Sequence, residues 1–191
     1  MLNKFFLTVF FCLLFNSLIA QETSSVLMHE SLKAQNTGML FLGGWAITNL
    51  VVGGYGWAHA TGHWKYFHQM NFMWNVVNLS IAGYALYSNS STHWETIHAS
   101  EFLASHLNTE RILLINSALD LGYIGTGFLL KHFSYRSANH SNLLKGYGNA
   151  LILQGAFLLV FDLSLYQVLH HKRLTLGPGP GVVGLSIGYA L

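Results

Sequence analysis

The sequence predicts an all-α integral membrane protein. It reads as a four-helix transmembrane bundle behind a cleaved N-terminal signal peptide, followed by a short extended C-terminal tail. Three observations carry that prediction: scarcity of charge, four apolar runs of bilayer length, and polar residues recurring at helical spacing inside those runs. Only 8% of the 191 residues are Asp, Glu, Lys or Arg and 52% are hydrophobic, whereas a soluble domain carries about 25% charged residues. A water-facing surface cannot be assembled from so few charges. The 19 glycines agree, since Gly is commoner in spanning helices than in soluble ones. A net charge of +2, with no basic run longer than Lys172-Arg173, excludes nucleic acid as a partner. Membrane lipid is the partner this composition requires.

Residues 1–20 read as a signal peptide. Lys4 supplies the positive region, Phe5 to Phe15 the apolar region, and Ala20 before Gln21 the cleavage point. Leu18 at the minus-three position is less suited to cleavage than Ala, so an uncleaved anchor is the alternative. Cys12, the single cysteine, lies inside this segment, and cleavage leaves no thiol chemistry. Residues 21–37 form an exported N-terminal segment, residues 38–171 the transmembrane domain and residues 172–191 the tail.

The four apolar runs are Gly38 to Ala58, Asn71 to Tyr87, Ile112 to Leu130 and Asn149 to Leu169, each close to the ~20 residues that cross a ~30 Å hydrocarbon core. A tight polar turn around Thr61 to Lys65, a longer loop from Ser88 to Arg111 and a basic loop from Lys131 to Lys145 join them. Export of the N-terminus places the first and third loops inside. The basic third loop supports this, although Lys and Arg on the two sides are equal in number. The expected location is a bacterial inner membrane, crossed several times. In the middle loop, Thr92-x-x-Glu95 has the form of a capping box and predicts a short separate helix through about Leu107. After the Gly177-Pro178-Gly179-Pro180-Gly181 breaker, Val183, Leu185, Ile187, Tyr189 and Leu191 alternate as in a strand. Gly54-Tyr55 and Gly122-Tyr123, with Asn49 and Ser117 at the same offset before them, suggest a duplicated hairpin.

Each run has one polar, small-residue stripe. Asn71, Asn75 and Asn78 recur at i, i+4, i+7, and Asn116, Asp120, Tyr123 and Gly127 form a similar stripe. Gly155, Asp162 and Tyr166 share a face of the fourth run, and Ala46, Asn49, Gly53 and Gly56 share one of the first. These stripes should turn inward, because the lipid-facing surface must be apolar. Asn49, Asn75, Asn78, Asp120 and Asp162 are then expected to meet near mid-depth. No Lys or Arg is available there, so an Asp must be protonated and hydrogen-bonded or ionised beside water or a cation. Two readings of this cluster compete: hydrogen-bonding glue, or a site for a proton, a cation or a small polar solute.

Eleven histidines raise the question of a metal. His59, His63 and His68 flank the first turn at spacings that suit a divalent ion, but Gly62 should break the helix between the first two. Glu95-x-x-His98 resembles one half of a di-iron pairing and lacks the other ligands. These five are weak candidates only, and no metal is assigned. His132 and the His170-His171 pair stand at helix ends, which leaves a bis-histidine haem open, though no c-type attachment motif exists. The cofactor is therefore unknown. No hydrolase elbow, phosphate loop or dinucleotide fingerprint occurs. An enzyme ranks third, behind transport or conduction and behind a non-catalytic envelope component. Either of those could work as a homo-oligomer or with an envelope partner.

Gly43-Gly44-Trp45-Ala46, Asn49, and Lys65-Tyr66-Phe67-His68-Gln69-Met70-Asn71 with Trp74-Asn75 and Asn78 resemble an uncharacterised family of small four-helix bacterial membrane proteins. The signal ending in Ala-Gln resembles those of Bacteroidota envelope proteins. The resemblance covers about Gly38 to His171, with Asp120-Leu121-Gly122-Tyr123 and Phe161-Asp162 inside it. It implies family membership and four helices. The family carries no assigned activity, so it imports no function.

Overall fold

The computed structural model describes residues 2–176, with side chains described for residues 25–94 and 96–175. Four helices account for nearly all of it: α1 Leu2–His59, α2 Gly62–Ser91, α3 Ala99–Ser134 and α4 Ser141–Leu176. The predicted strand lies outside the described residues. Helix α1 runs through the expected cleavage point without a break, and α4 runs past residue 171 into the segment read as tail.

The connections are shorter than the sequence suggested. The first turn is Ala60 and Thr61 alone, because Gly62 takes φ +58°, a left-handed conformation that costs glycine nothing. His63 to Lys65 therefore open α2 instead of forming a loop. Lys131 and Lys145 likewise sit on α3 and α4, leaving residues 135–140 as the connection. The capping-box expectation is corrected. Thr92 donates both its amide and its hydroxyl to the Ser88 carbonyl, at 3.1 and 2.8 Å, so it closes the end of α2 and starts nothing. A three-residue turn, Trp94–Thr96, follows, and α3 then begins at Ala99 behind His98. No Gly or Pro interrupts 99–121, so the predicted loop helix and the third run are one continuous helix.

The chain folds as two antiparallel hairpins, α1–α2 and α3–α4. α4 packs against all three other helices, whereas α2 and α3 make no substantial backbone contact. Within the second hairpin the approach is set by glycine. A Cβ on Gly127 would stand 2.7 Å from the Gly148 carbonyl oxygen, and one on Gly148 would stand 2.6 Å from that of Gly127. Each glycine thus rests on the other's backbone, a contact that any side chain would prevent. The proposed duplication is not reflected in the surroundings of its markers: Tyr55 is 70% exposed and stacks on His59, whereas Tyr123 is half-buried against Trp74.

Surface and interior are reversed relative to a soluble protein. Leu40, Val51, Val76, Ile81, Leu121, Phe128 and Val160 are among the exposed apolar side chains, while Asn71, Asn75, Asn78, Asp120, Gln154 and Asp162 are buried. Such a surface is stable only against hydrocarbon. Three helices, within Ser25–His59, Ala99–Ser134 and Ser141–Thr175, are long and apolar enough to cross a membrane. On α3, Arg111 and Lys131 bracket an apolar stretch about 30 Å long at ~1.5 Å per residue, the thickness of a bilayer core. The protein is a multi-pass membrane protein.

Candidate functional site: a cleft with two carboxyls

Asp120 and Asp162 meet because the hairpin is antiparallel. Side chains on a helix lean toward its own N-terminus, so carboxyls on α3 and α4 lean toward one another along the shared axis. Close approach helps: a Cβ on Gly155 would lie 2.9 Å from the Asp120 carbonyl oxygen, so the residue that lies against Asp120 must be glycine. The two carboxyls are within hydrogen-bonding reach of each other and are 2% and 6% exposed. No N–H or O–H donor among the described residues reaches Asp120 Oδ2. Two carboxyls can share a hydrogen bond only when one carries a proton, so this pair is complete only with an added proton or cation.

Because the backbones of α2 and α3 stay apart, a cleft of about 710 Å³ remains between them, backed by α1 and α4. Its volume falls in the range of small-molecule sites. Gln35, Ser88, Asn89, Asn108 and Thr109 line one end, and Asp120 and Asp162 lie deep inside with Asn78 and Asn116. At the inner end the Trp74 and Tyr123 rings meet edge to face, with centroids 4.8 Å apart, and bridge α2 to α3. The cleft is thus open toward the α2–α3 connection and closed just beyond the carboxyls.

The sequence-derived site residues divide between this cleft and other places. Asn78, Asn116, Asp120, Tyr123 and Asp162 line the cleft. Asn71 and Asn75 lie in the core of the bundle, where Gln154 donates to Asn71 Oδ1 at 2.8 Å and accepts from Trp45 Nε1 at 3.2 Å. Asn78 donates to Asn75 Oδ1 at 3.2 Å and so joins the two groups. Gln154, 0% exposed, is the hub of this network. Eight residues before Asp162, it stands about 80° round the helix from it, beside the Gly155, Asp162 and Tyr166 stripe and not on it. Replacing Gln154 by Leu should leave Asn71 and Trp45 each without a buried partner. A loss of about 1–2 kcal/mol in a detergent unfolding titration is expected, since such bonds average ~0.6 and reach ~1.7 kcal/mol.

Asn49 does not join the cluster. Its amide donates to the Trp45 carbonyl one turn back, at 2.9 Å, so a local acceptor satisfies it before any long-range partner is needed. Tyr166 also lies elsewhere, stacked on His170 with centroids 5.2 Å apart. The weak metal candidates are dispersed. His59 contacts the Tyr55 carbonyl, His63 lies against Trp64 on α2, His68 packs under Gly56, and His98 is exposed ahead of α3. The Glu95 side chain lies outside the described ones. Among the described residues no group of three His, Cys, Asp or Glu side chains could hold a metal. His132 and His170 stand at opposite ends of the α3–α4 hairpin, since Gly127 meets Gly148 at one end and His106 meets Leu169 at the other. They cannot ligate one haem.

A second polar cluster, which the sequence reading missed, lies near the open end of the cleft. Glu110 accepts from Arg173 Nε at 2.8 Å and Nη2 at 3.2 Å, and its carboxylate is 3.1 Å from both His106 Nε2 and His170 Nδ1. His106 Nε2 also faces the Leu169 carbonyl at 3.3 Å, while no described residue pairs with its Nδ1, so Nε2, between two acceptors, carries a proton. Lys172 pairs with Glu30 at 2.8 Å and ties α4 to α1. These residues lie up to 142 positions apart in the chain, and no motif links them. The one signal available was that Glu110 and Arg173 flank apolar runs facing each other in an antiparallel hairpin.

No match was found among curated proteins or among solved structures. Residues 41–163, which contain Asp120, Asp162 and most of the residues that line the cleft, match a family of unknown function, DUF6992. The match spans well over half of the 191 residues, and the chain therefore belongs to the DUF6992 family.

Proposed function

We propose that this chain is a bacterial inner-membrane protein that carries a proton, a cation or a small polar solute through the α2–α3 cleft, using Asp120 and Asp162 as the exchanging groups. All four helices cross the membrane in this reading, α2 among them. It is 30 residues long, and its polar stripe at Asn71, Asn75 and Asn78 is covered by its neighbours. Cleavage of the signal peptide leaves the mature N-terminus outside, so the cleft opens outward. The observation that carries the proposal is a pair of adjoining carboxyls deep in a membrane cleft bordered, among the described residues, by no Lys, Arg or His. Intramembrane carboxylates without cationic partners are costly to retain for packing alone and mark ion and proton pathways. In reconstituted vesicles, Asp120→Asn and Asp162→Asn should each reduce proton or cation flux at least tenfold while leaving the protein folded. Unchanged flux in both variants would remove the proposal.

A second reading, a non-catalytic assembly component of the envelope, draws on outward glycines. Where a Cβ would stand on Gly44, Gly83, Gly122 or Gly125, no atom of another helix among the described residues lies within 4 Å, and small residues on lipid-facing surfaces allow helices of another copy or partner to approach. Crosslinking through cysteines at Gly122 and Gly125 separates the readings. A stable hetero-complex without flux favours assembly.

A further inference from the structure

The chemistry of the cleft walls narrows what the carboxyl pair could hold. Among the described residues the walls carry charge of one sign only, from Asp120 and Asp162, and no donor reaches the buried Asp120 Oδ2 atom. Beyond the carboxyls, the inner cleft offers the amides of Asn78 and Asn116 and is otherwise walled by Ile81, Leu119, Phe161 and the aromatic rings of Trp74 and Tyr123. A volume of about 710 Å³ far exceeds what one ion and its ligand shell would fill. A mostly carbon wall around one anionic point suits the opposite type of guest. That is a cation whose charge is shielded or delocalised, which loses little on leaving water and brings its own apolar body. The Trp74 and Tyr123 rings line the same cleft, where a ring face left open by their edge-to-face contact adds cation–π attraction to the carboxylates.

Resting on the proposal that this cleft is the functional site, we infer that its ligand is an amphiphilic organic cation, such as a quaternary ammonium, a phosphonium or a protonated lipophilic amine. Its charged centre sits against Asp120 and Asp162, and its apolar body lies along Trp74, Ile81 and Phe161. The gap between α2 and α3 admits such a molecule, since only side chains cross it.

The test is equilibrium binding of tetraphenylphosphonium and of ethidium to the purified full chain in mild detergent, with tetraphenylborate as the anion of matched size. Saturable binding of both cations, and no saturable binding of tetraphenylborate titrated on its own, is expected. Asp120→Asn combined with Asp162→Asn should weaken it at least a hundredfold. Trp74→Leu, which keeps the wall apolar, should weaken it about five- to thirtyfold, the effect of losing a desolvated cation–π contact. The Trp74→Leu variant keeps the test decisive should the double Asp variant fail to fold. Absence of saturable binding to the folded wild-type chain, or affinity unchanged in the variants, overturns the inference. Asp-dependent proton flux without cation binding would overturn this ligand class and leave the proposed function standing. Asp-dependent cation binding without any flux would do the reverse.

Discussion

Glu110→Leu is expected to destabilise the protein by about 3 kcal/mol in a reversible detergent unfolding titration. The Glu110 side chain is 7% exposed and faces Arg173 and His170 of α4, at 24% and 36% exposure, together with the fully buried His106. Removing the carboxylate leaves the guanidinium between helices without a counter-charge, its Nη2 still 2.9 Å from His170 Nδ1, and leaves the His106 Nε2–H with the Leu169 carbonyl alone. Breaking one side of a buried ion pair costs about 3–5 kcal/mol, and the partial exposure of Arg173 sets the low end. The same physics predicts a rescue. Replacing both partners, Glu110→Leu with Arg173→Met, removes the stranded charge along with its former partner. This double variant should recover at least half of the loss, because exchanging a buried pair for apolar groups is often near neutral. If the double variant instead loses the sum of the two single losses, the pair is not coupled and the structural account of this cluster fails.

Gly127→Leu should have a comparable or greater effect, about 3 kcal/mol or outright failure of the α3–α4 hairpin to assemble. A Cβ at this position meets the Gly148 carbonyl oxygen at 2.7 Å, Ile152 Cγ1 at 2.7 Å and the Ile152 amide nitrogen at 3.0 Å. Two of these atoms are backbone of the facing helix, so no rotamer change relieves the overlap and the helices must separate. Overpacking costs about 1–3 kcal/mol or more, which exceeds the ~0.8–1.0 kcal/mol of helix propensity gained on replacing Gly. Gly122 and Gly125 on the same helix are the controls. Nothing lies within 4 Å of their Cβ positions, so Leu there should be neutral or slightly stabilising in the monomer. Equal melting losses at Gly122 and Gly127 would contradict the packing described. Since Gly155 holds the same interface beside Asp120, Gly127→Leu should also weaken cation binding in the cleft.

The inward stripe of α2 was legible from spacing alone. Asn71, Asn75 and Asn78 cannot face lipid, and all three are at most 4% exposed. Asp120 and Asp162 were legible for the same reason, as the acids between the basic ends of their helices. Asn49 was misjudged, since an amide in a helix can return to its own turn. Gln154 and the Glu110 cluster were missed because their roles depend on partners 60 to 109 residues away. Thr92 was misread because one hydroxyl can cap the helix behind it as readily as the one ahead.

The amino-acid sequence by itself determined that this chain lives in a membrane as long helices with polar interiors, and which faces turn inward. Charge scarcity and helical periodicity are properties of single segments, and hydrocarbon tolerates no other arrangement of unpaired polar groups. Only the tertiary structure decided which inward faces touch. The pairing of Asp120 with Asp162, the separation of α2 from α3 that opens a cleft, and the closure of that cleft by Trp74 and Tyr123 all depend on helix register and order. Those are set by where glycines let backbones meet, and a contact between two segments is written in neither segment alone.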